Sequence, residues 1–427
     1  MKPLTYFGTF LLGVMLSCSS TSDIPQEILK EYPSTMIIFA ENETDLSRKD
    51  EVVTIDFEEI GSKYADFNPQ AFVVFDGSME IPSHFWSEKA DRQQDKLTFV
   101  ADFGPVEKKQ FVICYSITGE KKRSYPMRTQ AELSYKFGGE FRKNQKGRFE
   151  YMGGQFKNMS YLRVPPEHTD HSFYIRYEGP GWESDKVGYR FYLDWRNAID
   201  IFGKIVPDMV LQKVGQDGFD SYHEMSDWGM DILKVGDALG VGGIGMWVEG
   251  LVNRVSETDS ITCEILASGP IHSQIHTNYY GWEVNGKKYD LVSDLSIEAG
   301  SRLTRHDIRI SGEPLNLCTG IVKHADISRI EYSSDATEWE YLATYGNQSL
   351  AGDQLGMAIF YKKQDLIDTT EDQNNFVVVL KPADGKVQYY FLAAWEKEYQ
   401  GIQSEMQFKE YLETVRQKLN YPIKIAL

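Results

Sequence analysis

From 147 to 395 the chain is a succession of short aromatic and β-branched runs, most of them closed by Gly, Pro, Asn or Asp. RFEYMGG, YLRVPP, SFYIRYEGPGW and VGYRFYLDW come first. After an interruption follow ITCEILASG, IHSQIHTNYYGWEV, YDLVSDLSI, RLTRHDIRI, CTGIVKHADI, GMAIFYKK, FVVVLKP and VQYYFLAAW. Runs of this length and residue type read as strands. So many long antiparallel strands point to a large two-sheet sandwich. The interruption, 199–250, lacks clean alternation and reads as a long excursion with some helix. An excursion of that length inside a β domain is more often functional than accidental.

The flanks are simpler. MKPLTYFGTFLLGVMLSCSS has one early lysine and an apolar run too short to span a membrane, the pattern of a secretory signal. Its MLSC end reads as a bacterial lipobox, so residues 1–18 are expected as a lipoprotein signal peptide with Cys18 as the lipidated residue. That anchor places the protein at the bacterial outer membrane, on its periplasmic or cell-surface face. Residues 19–33 read as a tether. STMIIFAEN, DEVVTIDF, AFVVFDG, KLTFVADF and QFVICYSI predict a small β-sandwich over 34–135. The large sandwich then occupies 136–427 and closes with a helix. There Ser404 and Gln407 have capping-box spacing, and Phe408, Leu412, Val415 and Leu419 share one face. Cys114, Cys263 and Cys318 lie in apolar runs and read as buried thiols with at most one disulfide. The expected class is therefore mostly β.

A formal net charge of −18 argues against a nucleic-acid binder, which needs a basic footprint. It leaves open an anionic small ligand, which needs only a local basic pocket. With 25 Tyr, 23 Phe and 8 Trp, the chain is equipped for stacking on sugar rings.

Four constellations could carry chemistry. The first is Trp182-Glu183-Ser184-Asp185 with Arg190, Tyr192, Asp194 and Arg196. Strand alternation puts Arg190, Tyr192 and Asp194 on one face, where an arginine fork could grip a carboxylate. Equally, this could be a solvated face with a charge pair. The second is SYHEMSDWGMD. Read as a helix, it lines up His223, Asp227 and Asp231 at i, i+4, i+8. A divalent metal is possible there, although the zinc-protease spacing is absent. As acid/base machinery it offers His223 and Tyr222, with Glu224 or Asp227 to orient the imidazole and Trp228 as a sugar platform. The bland alternative is a polar helix capping the sandwich. The third, VGDALGVGGIGMW, is no phosphate loop and suggests close backbone packing. The fourth is the later histidines. His272 and His276 share a strand face, and His324, beside Lys323, is the preferred second catalytic histidine.

The segments GWESDKVGYRFYLDWRNAIDIFGK and VLQKVGQDGFDSYHEMSDWGMDILKVGDALGVGGIGMW resemble a Bacteroidota family, domain of unknown function 4861. The resemblance covers nearly the whole mature chain. It implies a galactose-mutarotase-like β-supersandwich, in a lipoprotein or secreted protein of polysaccharide utilisation. It also implies oligosaccharide processing, including dehydration of a terminal uronic acid. In that chemistry Arg190 would neutralise the uronate carboxylate, His223 or a tyrosinate would take the C5 proton, and an acid would protonate the group leaving C4. No organic cofactor is needed. The substrate side would use Trp182, Glu183, Tyr192, Asp194, Arg196, Glu224, Asp227, Trp228 and His272. The expected partner is an acidic oligosaccharide, and the membrane is touched only through the lipid. Two other readings remain open. One is a glycoside hydrolase drawing paired carboxylates from Glu183, Asp185, Glu224 and Asp227; the other is a lipoprotein that only binds glycan.

Overall fold

The structure, a computed structural model, describes residues 15–17, 23–87, 95–217, 221–334 and 336–427. Cys18 and the first part of the expected tether lie outside the described residues. The protein is mostly β, and the chain divides into two compact units.

The first unit holds the described residues through Ile81, with Phe99–Arg123 and Tyr421–Leu427. Its sheet has the order Lys424–Ala426, Ser34–Glu41, Glu107–Tyr115, Phe72–Asp76, Met79–Ile81. Alternation sends Val73, Phe75, Val112 and Cys114 to one side. Residues from 23 onwards, expected as tether, are folded instead. Ile24, Ile28 and Tyr32 recur at helical spacing around the helix Gln26–Glu31 and pack on that same side. The expected boundary at 135/136 falls inside the continuous strand Thr129–Lys143; the chain leaves the first unit at Arg123.

The second unit, Pro82–Thr98 with Ser124–Asn420, is built on three antiparallel sheets. A six-stranded sheet runs Phe149–Met159, Thr129–Lys143, Gly181–Ser184, Val187–Phe191, Ile199–Lys204, Gly229–Asp231. It packs on a nine-stranded sheet centred on His272–Val284, Lys287–Glu298, Thr304–Ile310 and Lys386–Trp395. The core between them takes Trp182, Tyr189, Phe191 and Ile201 from the first sheet, and Ile275, Leu295, Ile308 and Phe391 from the second. The glycine run packs closely, as its sequence suggests. A Cβ on Gly240 would lie 1.7 Å from the Ile199 carbonyl oxygen, and one on Gly242 would meet the Phe391 ring.

The closing helix spans Glu405–Asn420, with Phe408, Leu412 and Val415 buried against the nine-stranded sheet. Ser404 Oγ accepts the Gln407 N–H at 3.3 Å, while Gln407 Oε1 accepts the Gln403 N–H at 2.8 Å. Cys114, Cys263 and Cys318 are free and buried, and burial pushes the Cys114 thiol up to about 11 and the Cys263 thiol up to about 12. No helix among the described residues is long and apolar enough to cross a membrane.

Two histidines tie stability to pH. His272 is stacked on Trp86 with ring centroids 3.6 Å apart, and His306 lies in the core with Nε2 2.7 Å from Ser293 Oγ. Burial lowers both to about 3. A folded-state value below the unfolded value of 6.5 means that the unfolded chain binds more protons between the two. Stability is thus complete above about pH 6.5 and is lost as pH falls towards 3. Each ring is expected to account for about 2 kcal/mol of loss by pH 5. Thermal unfolding from pH 7 to 5 checks this, because His272→Gln should flatten the dependence. An unchanged slope in that variant would show that the charge enters the folded state freely.

Candidate functional site

The strand Val187–Phe191 turns Tyr189 and Phe191 into the sandwich core, so Arg190 faces the other side of its sheet. That side is roofed by the long excursion. Val210, Leu211, Val214, Tyr222 and Trp228 pack there on Phe202 and Tyr177. The roof removes Arg190 from water, and only 1% of its surface is exposed. An arginine so buried requires partners. Asp200, opposite Arg190 in the ladder, accepts from Nη2 at 2.8 Å, and Asp231 accepts from the same nitrogen at 2.7 Å. Nη1 donates to the Tyr177 carbonyl at 3.1 Å and to the Tyr222 phenol oxygen at 2.9 Å. Tyr192 donates to Asp200 at 2.7 Å. Burial and the neighbouring Asp200 push the Asp231 carboxyl well above the carboxylate range, against the pull of Arg190.

Beside this cluster opens a cavity of about 490 Å³, lined among others by Lys136, Phe156, His171, Glu178, Asp217 and Tyr222. Its wall is strained. His171, Phe173, Tyr177 and Glu178 all have positive φ, at 58°, 56°, 40° and 68°. Non-glycine residues rarely adopt such angles, which cost of order 1–3 kcal/mol each and cluster where function demands a set geometry. Arg196 holds the wall in place, meeting Asp170 at 2.8 Å and Glu178 at 2.9 Å. Burial acts to raise the Glu178 carboxyl, but Arg196 and Arg190 outweigh it and hold it below its ordinary value. His171 Nδ1 lies 2.6 Å from Asp170 Oδ1, so a carboxylate orients the imidazole. Lys136, over the Phe156 ring at 5.2 Å, has no ion pair among the described residues, and burial lowers its pKa. Burial raises the Tyr222 phenol, with Arg190 acting in the opposite direction.

The structure brings together Arg190, Tyr192, Tyr222 and His223. His223 Nε2 lies 3.6 Å from Asp231 Oδ2, and its ring tilts over Tyr222 with centroids 4.5 Å apart. Several expectations are corrected. Residues 221–231 form no helix: a 3-10 turn, Ser221–His223, leads through bends to the short strand Gly229–Asp231. His223, Asp227 and Asp231 therefore make no metal stripe, and Asp227 and Glu224 are exposed. Trp228 is no platform, because it is buried edge-on against Phe202. Trp182 is core, its Nε1–H donating to Thr304 Oγ1 at 2.9 Å. Glu183 is fully buried on Lys204 at 2.7 Å and accepts the N–H groups of Val210 and Leu211, anchoring the start of the roof. Arg190 is buried on its own carboxylates and is not open to a substrate's. Asp194 leaves the face of Arg190, because the strand ends at Phe191, and pairs with Arg196 instead. His272 lies in the stack with Trp86. His324 sits in a different cavity, with no lining residue in common with the first.

Reading the sequence missed Lys136, Asp170, His171, Tyr177, Glu178, Asp200 and Asp217. One local signal existed: Asp200 is the lone acid in the apolar strand IDIFGK. Asp170, His171 and Glu178 also bring one ligand atom each within 4.8 Å of one another. As a metal site they fit poorly, since Arg196 already supplies the positive charge that a dication would bring.

The chain aligns over 97% of its length, at 22% identity, with Uncharacterized protein P7 of Formosa agariphila, covering 99% of that protein. Two Enterococcus faecalis crystal structures, a protein in the glycosyl hydrolase family 38 and an α-mannosidase, align over 95% of the chain at 9% and 10% identity. The TM-score is 0.41 for each, and the chain spans about half their length, 48% and 47%. The family model for Domain of unknown function (DUF4861) matches residues 40–425, and the chain belongs to that family.

Proposed function

We propose that the protein is a carbohydrate-active enzyme of polysaccharide degradation. It eliminates water, or a leaving sugar, from a terminal uronic acid to give a 4,5-unsaturated product. The observation that carries this reading is the composition of one cavity: an unpaired lysine, a histidine oriented by a carboxylate, and a phenol held by a buried arginine. Those are the three groups the reaction requires. Lys136 pairs with the uronate carboxylate, which makes the C5 proton removable. His171 takes that proton, and Asp170 stabilises the resulting imidazolium. The electrons of the C5–H bond form the C4=C5 double bond as the C4–O bond breaks. Tyr222 protonates the departing oxygen, and Arg190 stabilises the phenolate left behind. Solvent then carries the proton from His171 back to Tyr222. No cofactor takes part. The lipobox reading supports a lipid-anchored protein at the outer membrane, on its periplasmic or surface face.

The test is mass spectrometry with ultraviolet absorbance on oligosaccharides bearing a saturated uronic acid at the non-reducing end. The expected result is loss of one water, or release of a sugar, with new conjugated-alkene absorbance. Shorter, saturated products would replace this reading with hydrolysis, for which Glu178 and Asp217 in the same cavity are the carboxylates to test. Retained binding with no product would leave a glycan-binding protein.

A further inference from the structure

The second cavity, of about 290 Å³, lies between the segments 234–238 and 322–325 and is lined by Lys234, Lys323, His324 and Asn374 among others. It is the size of a small ligand pocket, room for about one sugar ring. Its charge is unbalanced. Lys234 has no ion pair among the described residues, whereas Lys323 is engaged by Glu371 at 2.7 Å. The one acid in the lining, Asp237, points out to solvent and faces Arg254 at 3.8 Å. His324 lines the cavity as well, close enough to Lys234 for that charge, with burial, to lower its pKa. Arg254, which touches Asp237, also donates to the Ala238 carbonyl at 3.4 Å and lies over the Trp195 ring at 5.5 Å. Trp195 is 45% exposed, in contrast to the buried Trp182 and Trp228.

We propose that this cavity is a second sugar-binding subsite, which takes the carboxylate or sulfate ester of a pyranose between Lys234 and His324. Lys234 supplies the charge and the His324 imidazole a hydrogen-bond donor beside it. Trp195, at the Arg254 rim, offers the stacking face for a ring that carries the anion. The inference rests on the reading that the ligand is an acidic glycan, but it does not depend on the reaction performed in the first cavity.

The experiment is titration calorimetry on the Lys136→Met protein, in which the first cavity has lost its lysine. The probes are D-glucuronate, D-glucose 6-sulfate, D-glucose and inorganic sulfate. Either anionic sugar is expected to bind at least ~10-fold more tightly than glucose. That affinity should fall by ~10-fold or more on adding Lys234→Met or His324→Gln, with the unfolding midpoint unchanged. Preference between the two anionic sugars tells which anion the subsite reads. Equal affinity for glucose, or undiminished affinity in both added variants, would overturn the proposal. Inorganic sulfate binding as tightly as the sugars would overturn its sugar component. Because the readout is binding, an absence of elimination activity leaves this outcome separate.

Discussion

Replacing Tyr222 by phenylalanine is expected to lower kcat by roughly 10²–10⁴-fold with little change in KM or in the unfolding midpoint. The range is what a positioned proton donor contributes. The substitution removes one oxygen and leaves the ring in its cluster with Phe202 and Trp228. Arg190 keeps Asp200, Asp231 and the Tyr177 carbonyl, so the packing stands while the leaving group loses its acid. Single-turnover kinetics on a uronate-terminated oligosaccharide check this. A substrate with an activated leaving group at C4, which needs no acid, should recover most of the loss. If kcat is unchanged with the natural leaving group, Tyr222 is not the acid. His171→Gln should also lower kcat without that recovery, because it removes the base.

Arg190→Met is expected to destabilise the second unit by about 3–5 kcal/mol at neutral pH, a fall in its unfolding midpoint on the order of 10 °C. The methionine fills much of the space, so the loss comes from charge. Asp200 and Asp231 would be left buried without the guanidinium that both now share. The sign of the pH response identifies the cause. Burial and Asp200 already raise the Asp231 carboxyl, and loss of the opposing Arg190 raises it further, so lowering the pH towards 5 protonates it in the fold and should shrink the deficit. A cavity defect would show no such recovery. Arg190→Met combined with Asp231→Asn should restore part of the stability, by removing one of the stranded carboxylates. A single variant as stable as the parent at pH 7 would show that the cluster is not held by charge.

The sandwich was legible because strand alternation is local. Tyr189, Phe191 and Arg190 sort themselves onto two faces by period two alone, and the closing helix declares its buried face through Phe408, Leu412 and Val415. Alternation failed where the strand ended: Asp194, four residues on from Arg190, turned away to Arg196. Local spacing also misled over 221–231, where a helix was expected. His223 and Asp231 still meet, through a turn and a strand end rather than a helical stripe. The cavity could not be foreseen in this way, because Lys136, His171 and Tyr222 arrive from three separated segments.

By itself, the sequence determined the mostly β class, the helix, the buried thiols and the density of polar groups around the excursion. Those follow from contacts between near neighbours. Only the tertiary structure decided which polar groups are used up and which are free. Arg190 looked available to a substrate and is buried on Asp200 and Asp231, whereas Lys136, in a strand, lines a cavity and has no ion pair among the described residues. Desolvation is a property of what packs above a residue, and here the roof over Arg190 begins about twenty residues further along the chain.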